Sequence, residues 1–134
     1  MKSSIIGLLT LAILCTSTAM ASQLSDSLVE KYRSEAADAL SAELGKQLWN
    51  QQFIHEKSGD QRSCSTCHGS DLAKQGKHAR TGKKIDPMAL SINTKRLTTE
   101  KKVEKWFKRN CKWTLGRECT PREKGSFLLY ISAQ

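Results

Sequence analysis

Aromatic residues are scarce in this 134-residue chain: three Trp, two Tyr and three Phe serve the whole of it. Acidic residues are short as well, 13 against 22 Lys plus Arg, which gives a formal net charge of +9. Long apolar runs are missing. The longest, from Ile5 to Leu14, falls well below the roughly 18–20 residues that a spanning helix needs. Internal repeats and low-complexity linkers are also absent. These absences exclude a membrane-spanning protein, a repeat array and a chain of several domains. They also imply a small core, because a domain of this size buries little surface by itself. A large apolar group bound inside would enlarge that core.

What is present begins with an export signal. Lys2, the apolar run and Ala19-Met20-Ala21 form a basic start, a hydrophobic middle and an A-x-A site, the pattern of a secretory signal peptide cut after Ala21. Removal of residues 1–21 leaves 113 residues with a formal charge of +8, expected in the periplasm. Cys15 is a poor lipidation site, since bulky Leu14 stands where a small residue is wanted. A basic exported chain suits an anionic membrane or an acidic protein. Nucleic acid is not expected as a partner, because the signal sends the chain away from it.

With Cys15 lost, four cysteines remain: Cys64, Cys67, Cys111 and Cys119. An even set in an oxidising compartment ordinarily reads as two disulfides. However, Cys64-Ser65-Thr66-Cys67-His68 is C-x-x-C-H, the attachment motif of c-type haem. Two thiols at this spacing add to the two vinyl groups on one porphyrin edge, and the next residue brings its imidazole under the iron as proximal ligand. The other ring nitrogen of His68 is expected to donate to a backbone carbonyl. A thioredoxin-like pair would need a βαβ setting, and no strand-like run precedes Cys64. A zinc site would need a closer second ligand pair than Cys111 and Cys119 provide. A Cys64–Cys67 disulfide would leave His68 without a role. One covalent haem c is therefore expected, and Cys111 and Cys119 are left to pair with each other, stabilising the fold by about 2–3 kcal/mol through loop closure.

Residues 25–53 carry a helical pattern, with Leu28, Tyr32, Ala36 and Leu40 and then Leu44, Leu48 and Trp49 recurring three or four apart. Gly45 marks a close helix crossing, since glycine within a helix otherwise costs about 1 kcal/mol. Residues 69–96 hold Gly69, Gly76, Gly82 and Pro87 with little periodicity and read as a long loop wrapped around the haem. A second helix is expected from Thr99 to Arg109 with Val103, Trp106 and Phe107 on its apolar face, and Asn110 stands where that helix would stop. Thr120-Pro121-Arg122-Glu123 is a capping box with proline in the first turn, opening a last helix through Ile131. The expected architecture is all-α. The expected layout is a signal peptide over 1–21, an N-terminal helical extension over 22–44 and a cytochrome domain over 45–134.

The residues leave the second axial position open. Met88, behind Pro87, is placed where electron-transfer cytochromes c carry their methionine ligand. His55 or His78 would give a bis-histidine haem, with hydrogen bonding to a propionate as the alternative role of His78. Asn110 would be a hard, neutral amide ligand that holds ferric iron weakly and ferrous iron more weakly still.

The order helix, C-x-x-C-H, long loop, helix, terminal helix matches class I c-type cytochromes. Residues 45–131 resemble the sphaeroides haem protein (SHP) family of monohaem cytochromes. The resemblance is carried by Cys64-Ser65-Thr66-Cys67-His68-Gly69, Lys77-His78-Ala79-Arg80-Thr81-Gly82-Lys83, Asp86-Pro87-Met88-Ala89, Val103-Glu104-Lys105-Trp106-Phe107-Lys108-Arg109-Asn110-Cys111 and Gly116-Arg117-Glu118-Cys119-Thr120. In that family an asparagine beside a disulfide is the sixth iron ligand in the ferric state and leaves on reduction, after which the ferrous iron binds oxygen, nitric oxide or carbon monoxide. The resemblance gives that place to Asn110, beside Cys111, with Met88 as the alternative. It also implies electron exchange with a dihaem c-type cytochrome and a membrane b-type cytochrome. Trp106, Phe107 and Trp113 would then wall the pocket, and the basic residues around the second helix would steer an acidic partner. A plain electron shuttle with Met88 ligated, and an enzyme reducing a small oxidant at the open iron, are the competing readings. No acid–base pair for turnover is identifiable.

Overall fold

The computed structural model describes residues 16–134. The apolar run from Ile5 to Leu14 and Cys15 lie outside the described residues. Among the described residues five helices form: α1 (Thr16–Glu35), α2 (Ala42–Asn50), α3 (Ser65–His68), α4 (Glu100–Leu115) and α5 (Pro121–Ser132). Two small antiparallel hairpins join them: β1 (Phe53–Ile54) with β2 (Gln61–Arg62), and β3 (Gly76–Lys77) with β4 (Lys84–Ile85). Among the described residues no helix is long and apolar enough to cross a membrane.

The terminal helix α5 is the centre of the molecule. Its start is the expected capping box: Thr120 Oγ1 accepts from the Glu123 amide at 3.2 Å, and the Glu123 carboxylate accepts from the Thr120 amide at 2.9 Å. Phe127, Leu128, Tyr130 and Ile131 are buried, and two glycines bring its neighbours close. A Cβ on Gly45 would strike the Ser126 carbonyl and the Tyr130 side chain, so α2 crosses α5 backbone to backbone, as the glycine suggested. A Cβ on Gly125 would likewise meet Leu40. α1 covers the other side, where Leu28, Val29, Tyr32, Val103 and Leu128 form one core cluster. A second cluster, around Trp49, Leu72, Cys111 and Phe127, lies between α2, α4, α5 and the loop.

The helical pattern over 25–53, whose part over 24–40 reads as either a separate helix or an extension, is two helices, because the chain breaks after Glu35 and restarts where Ser41 Oγ caps the Leu44 amide at 3.0 Å. Two sequence expectations need correction. The loop over 69–96 contains the β3–β4 hairpin, whose two-residue strands carry no alternation to read. The largest difference is in α4, which does not stop at Arg109. Cys111 and Thr114 are buried and continue the Val103–Phe107 stripe, and the helix ends only at Gly116, which takes the left-handed conformation with φ 74°. Asn110 is therefore an interior helix residue.

Candidate haem site

The C-x-x-C-H segment is wound by its own side chains. Ser63, which is buried, accepts from the Thr66 amide through Oγ at 3.1 Å, and Thr66 Oγ1 accepts from the Ser63 amide at 3.0 Å. This reciprocal cap sets one helical turn, which Gly69 ends at φ 74°. Cys67 and His68 stand three and four residues beyond Cys64, so all three side chains leave one face of the turn.

The turn is seated on the core. Trp49 Nε1 donates to the Gly69 carbonyl at 2.8 Å, and its ring lies 5.4 Å from the His68 ring. Gly76 presses on the Cys67 carbonyl and the His68 backbone, where any Cβ would collide. The Ala79 amide reaches Cys67 Sγ at 3.4 Å. Burial, with Arg96 adding to it, pushes the His68 imidazolium down to about 4, so the ring is neutral and fit to bind a metal. Its Nδ1 is buried and, among the described residues, has no hydrogen-bond partner, contrary to the expected bond to a carbonyl. The nearby Gly69 carbonyl accepts from Trp49 instead. Burial pushes the Cys64 thiol up to about 12, the opposite of the lowered thiol that redox-active C-x-x-C pairs require.

On α4, Asn110 is exposed. Trp106 and Trp113, four residues before it and three after, are 52 % and 37 % exposed on the same face. The two part-exposed indoles flank the asparagine, with the Arg109 guanidinium 5.6 Å from the Trp106 centroid and that of Arg62 4.8 Å from the Trp113 centroid. The next residue, Cys111, is buried, and its sulfur lies within bonding distance of Cys119, with Cα atoms 5.5 Å apart. Cys64, Met88 and Phe107 pack against the same core cluster as Cys111, so one core supports both the attachment turn and the turn that bears Asn110. The neutral imidazole seated against Trp49, the three side chains on one turn and the part-exposed indoles fit a haem c.

The other candidates are placed elsewhere. Met88 is half-buried, with its amide on the Leu72 carbonyl at 2.9 Å. His55 lies at the β1–β2 turn with Nδ1 3.2 Å from Ser58 Oγ, and His78 Nδ1 accepts from the Thr81 amide at 3.2 Å inside the β3–β4 turn. Among the described residues no group of three or more His, Cys, Asp or Glu side chains could hold a metal ion. Sequence reasoning missed the reciprocal cap, although Ser63-x-x-Thr66 spells it, and it missed Arg62, whose contact to α4 has no local signal.

Comparison with known proteins agrees with this geometry. Residues 35–131 match the family described as a domain of unknown function, DUF1924, a match that begins within the segment read from sequence as the N-terminal extension. The chain is 41% identical over 110 residues to the cytochrome c-type protein SHP of Cereibacter sphaeroides, covering 80% of this chain and 81% of that one. The fold is similar to the structure of oxidised SHP, described as an oxygen-binding cytochrome c, with a TM-score of 0.75 at 39% identity over 82% of this chain and 96% of the other. It is also similar to a solution structure of cytochrome c'' from Methylophilus methylotrophus, solved to explain haem-ligand detachment, with a TM-score of 0.71 at 37% identity over 81% and 92% of the two chains. The chain thus belongs to the DUF1924 family and to the SHP family of monohaem c-type cytochromes, an all-α class I cytochrome c fold that carries one covalently bound haem c.

Proposed function

We propose that the protein is a periplasmic cytochrome in which Cys64 and Cys67 hold the haem through thioethers, His68 is the permanent axial ligand, and Asn110 is a second axial ligand that leaves on reduction. A haem held there would supply a redox-active iron. The observation that carries the reading is the setting of Asn110: an exposed asparagine inside a helix, flanked by two bared indoles and adjacent to buried Cys111. Asparagine is a poor helix former, and no helix end explains it here. A carboxamide oxygen is a hard donor that prefers ferric to ferrous iron, so release on reduction follows from its chemistry. Once released, Asn110 leaves a position that oxygen, nitric oxide or carbon monoxide can enter. The link from Cys111 to Cys119 limits how far Asn110 withdraws, which favours its return on oxidation.

The relatives support the same reading: one is described as binding oxygen, and another was solved for the detachment of a haem ligand. The sequence pattern over residues 1–21 supports export. Electron exchange with a dihaem c-type cytochrome and a membrane b-type cytochrome is part of the proposal. The exposed Lys101, Lys105, Lys108 and Lys112 form a row along α4 suited to an acidic docking surface.

The test is Asn110→Ala, with spectra of the purified holoprotein in both oxidation states, with and without carbon monoxide. Haem attachment should be kept and the ferric iron should take water or hydroxide in place of the amide. An unchanged ferric spectrum overturns the assignment. A low-spin ferrous form that resists carbon monoxide, with a sulfur-to-iron charge-transfer band when ferric, gives the position to Met88.

A further inference from the structure

We propose that Arg62 is a positioning residue for the releasing ligand: by gripping the last turn of α4 it sets how firmly Asn110 holds ferric iron. The inference rests on the assignment of Asn110 made above. Arg62 is the last residue of β2, two before Cys64, and its side chain is 16 % exposed. Its Nη1 donates to the Trp113 carbonyl at 3.0 Å, and the guanidinium lies over the Trp113 ring, 4.8 Å from the centroid. On its other side Nη2 donates to Asp60 Oδ2 at 3.2 Å and to Ser58 Oγ at 3.4 Å. Ser58 Oγ in turn donates to the same Asp60 oxygen at 2.6 Å. The fork is held from the hairpin and spends its free edge on α4.

The place it grips matters. Trp113 lies in the last turn of α4, where carbonyls have no partner within the helix and the helix dipole is negative. A cation donating there satisfies both needs and acts as a cap supplied from another part of the chain. Asn110 lies three residues earlier on the same face, about 4.5 Å along the axis. Among the described residues, no other side-chain hydrogen bond joins the β1–β2 hairpin to α4. The tie therefore fixes the segment that enters the haem-attachment turn against the turn that bears the releasing ligand. Cys111 anchors that turn to α5's approach, and Arg62 anchors it to the attachment side. An amide ligand that binds weakly depends on being held at the right distance. A lysine ammonium could not replace the planar, doubly bonded and stacked fork.

The experiment compares Arg62→Gln and Arg62→Lys with the wild type and with Asn110→Ala, each purified as exported holoprotein. Ferric spectra give the fraction with the amide released, redox titration gives the midpoint potential, and carbon monoxide titration probes the ferrous form. Arg62→Gln should shift the ferric equilibrium toward the released form on the order of tenfold, as expected for loss of a charged hydrogen bond. It should also raise the midpoint potential, because the ligand stabilises the ferric state. Arg62→Lys should fall between, and the ferrous carbon monoxide affinity should not move, since Asn110 has already left. A merely structural role would lower the melting temperature and leave the ferric equilibrium and the potential alone. If Arg62→Gln yields no haem-loaded protein, Arg62→Lys carries the comparison. Wild-type ferric spectra and potential in the loaded Arg62 variants, beside an opened Asn110→Ala, overturn the role of Arg62 and spare that of Asn110. An unchanged Asn110→Ala overturns both.

Discussion

At the scale of single residues, the absence of one side chain sets the spacing of α2 and α5. Gly45 touches the Ser126 carbonyl so closely that an alanine methyl must push the helices apart. Gly45→Ala should destabilise the holoprotein by about 1–3 kcal/mol, the usual cost of overpacking a core, and thermal unfolding followed at the haem band would register it. No change in melting would mean that the crossing is looser than described. This glycine was legible because it interrupts an apolar stripe at a position where only close packing repays its cost. Asn110 was legible as a residue type and misread in place. Arg109 and Asn110 look like a helix end, and the continuation through Cys111, Thr114 and Leu115 is visible only once Cys111 is counted as an apolar core residue.

At the scale of elements, the polar seam among α1, α4 and α5 governs how the first helix is retained. Glu104 on α4 accepts from the Tyr32 hydroxyl at 2.6 Å and from Lys124 Nζ at 2.9 Å, and Lys31 approaches it at 3.4 Å. Burial works against the carboxylate, yet the bonds from Tyr32 and Lys124 outweigh it and hold the carboxyl below the usual glutamate range. A depressed folded value means that the stabilisation is complete above the ordinary glutamate value of about 4.3 and is lost as pH falls through the folded value. Wild type should thus melt higher than Glu104→Gln at neutral pH, and the gap should close in acid. A gap that stays constant with pH would show that the charge of Glu104 is not what matters. The sequence offers these residues only one at a time. It could not offer the seam itself, since Tyr32, Glu104 and Lys124 meet only after three helices have packed.

At the scale of the whole molecule, net charge decides encounters. With 22 basic residues against 13 acidic ones, the protein attracts anions over distances that salt screens within about 8–10 Å at physiological strength. Oxidation of the ferrous protein by an anionic reagent such as ferricyanide should slow as salt is raised, and oxidation by a neutral reagent should not. Equal salt dependence for both reagents would remove steering from the account. The helical class, the attachment motif and the last helix were legible because each is written in neighbouring residues: a five-residue motif, a four-residue cap, an apolar period. The two hairpins and the Arg62 tie were not, since two-residue strands have no period and a guanidinium reaching a carbonyl 51 positions away leaves no local trace.

The reciprocal bonds between Ser63 and Thr66 also bear on the order of events in maturation. They close within four residues, so they need no distant partner and little loop entropy. The supports beneath the turn come from Trp49 and Gly76, on separate stretches of the chain. Both thiols and the imidazole can thus be gathered on one side of a single turn while the newly made chain is still open. The long-range contacts can close afterwards around a cofactor already in place.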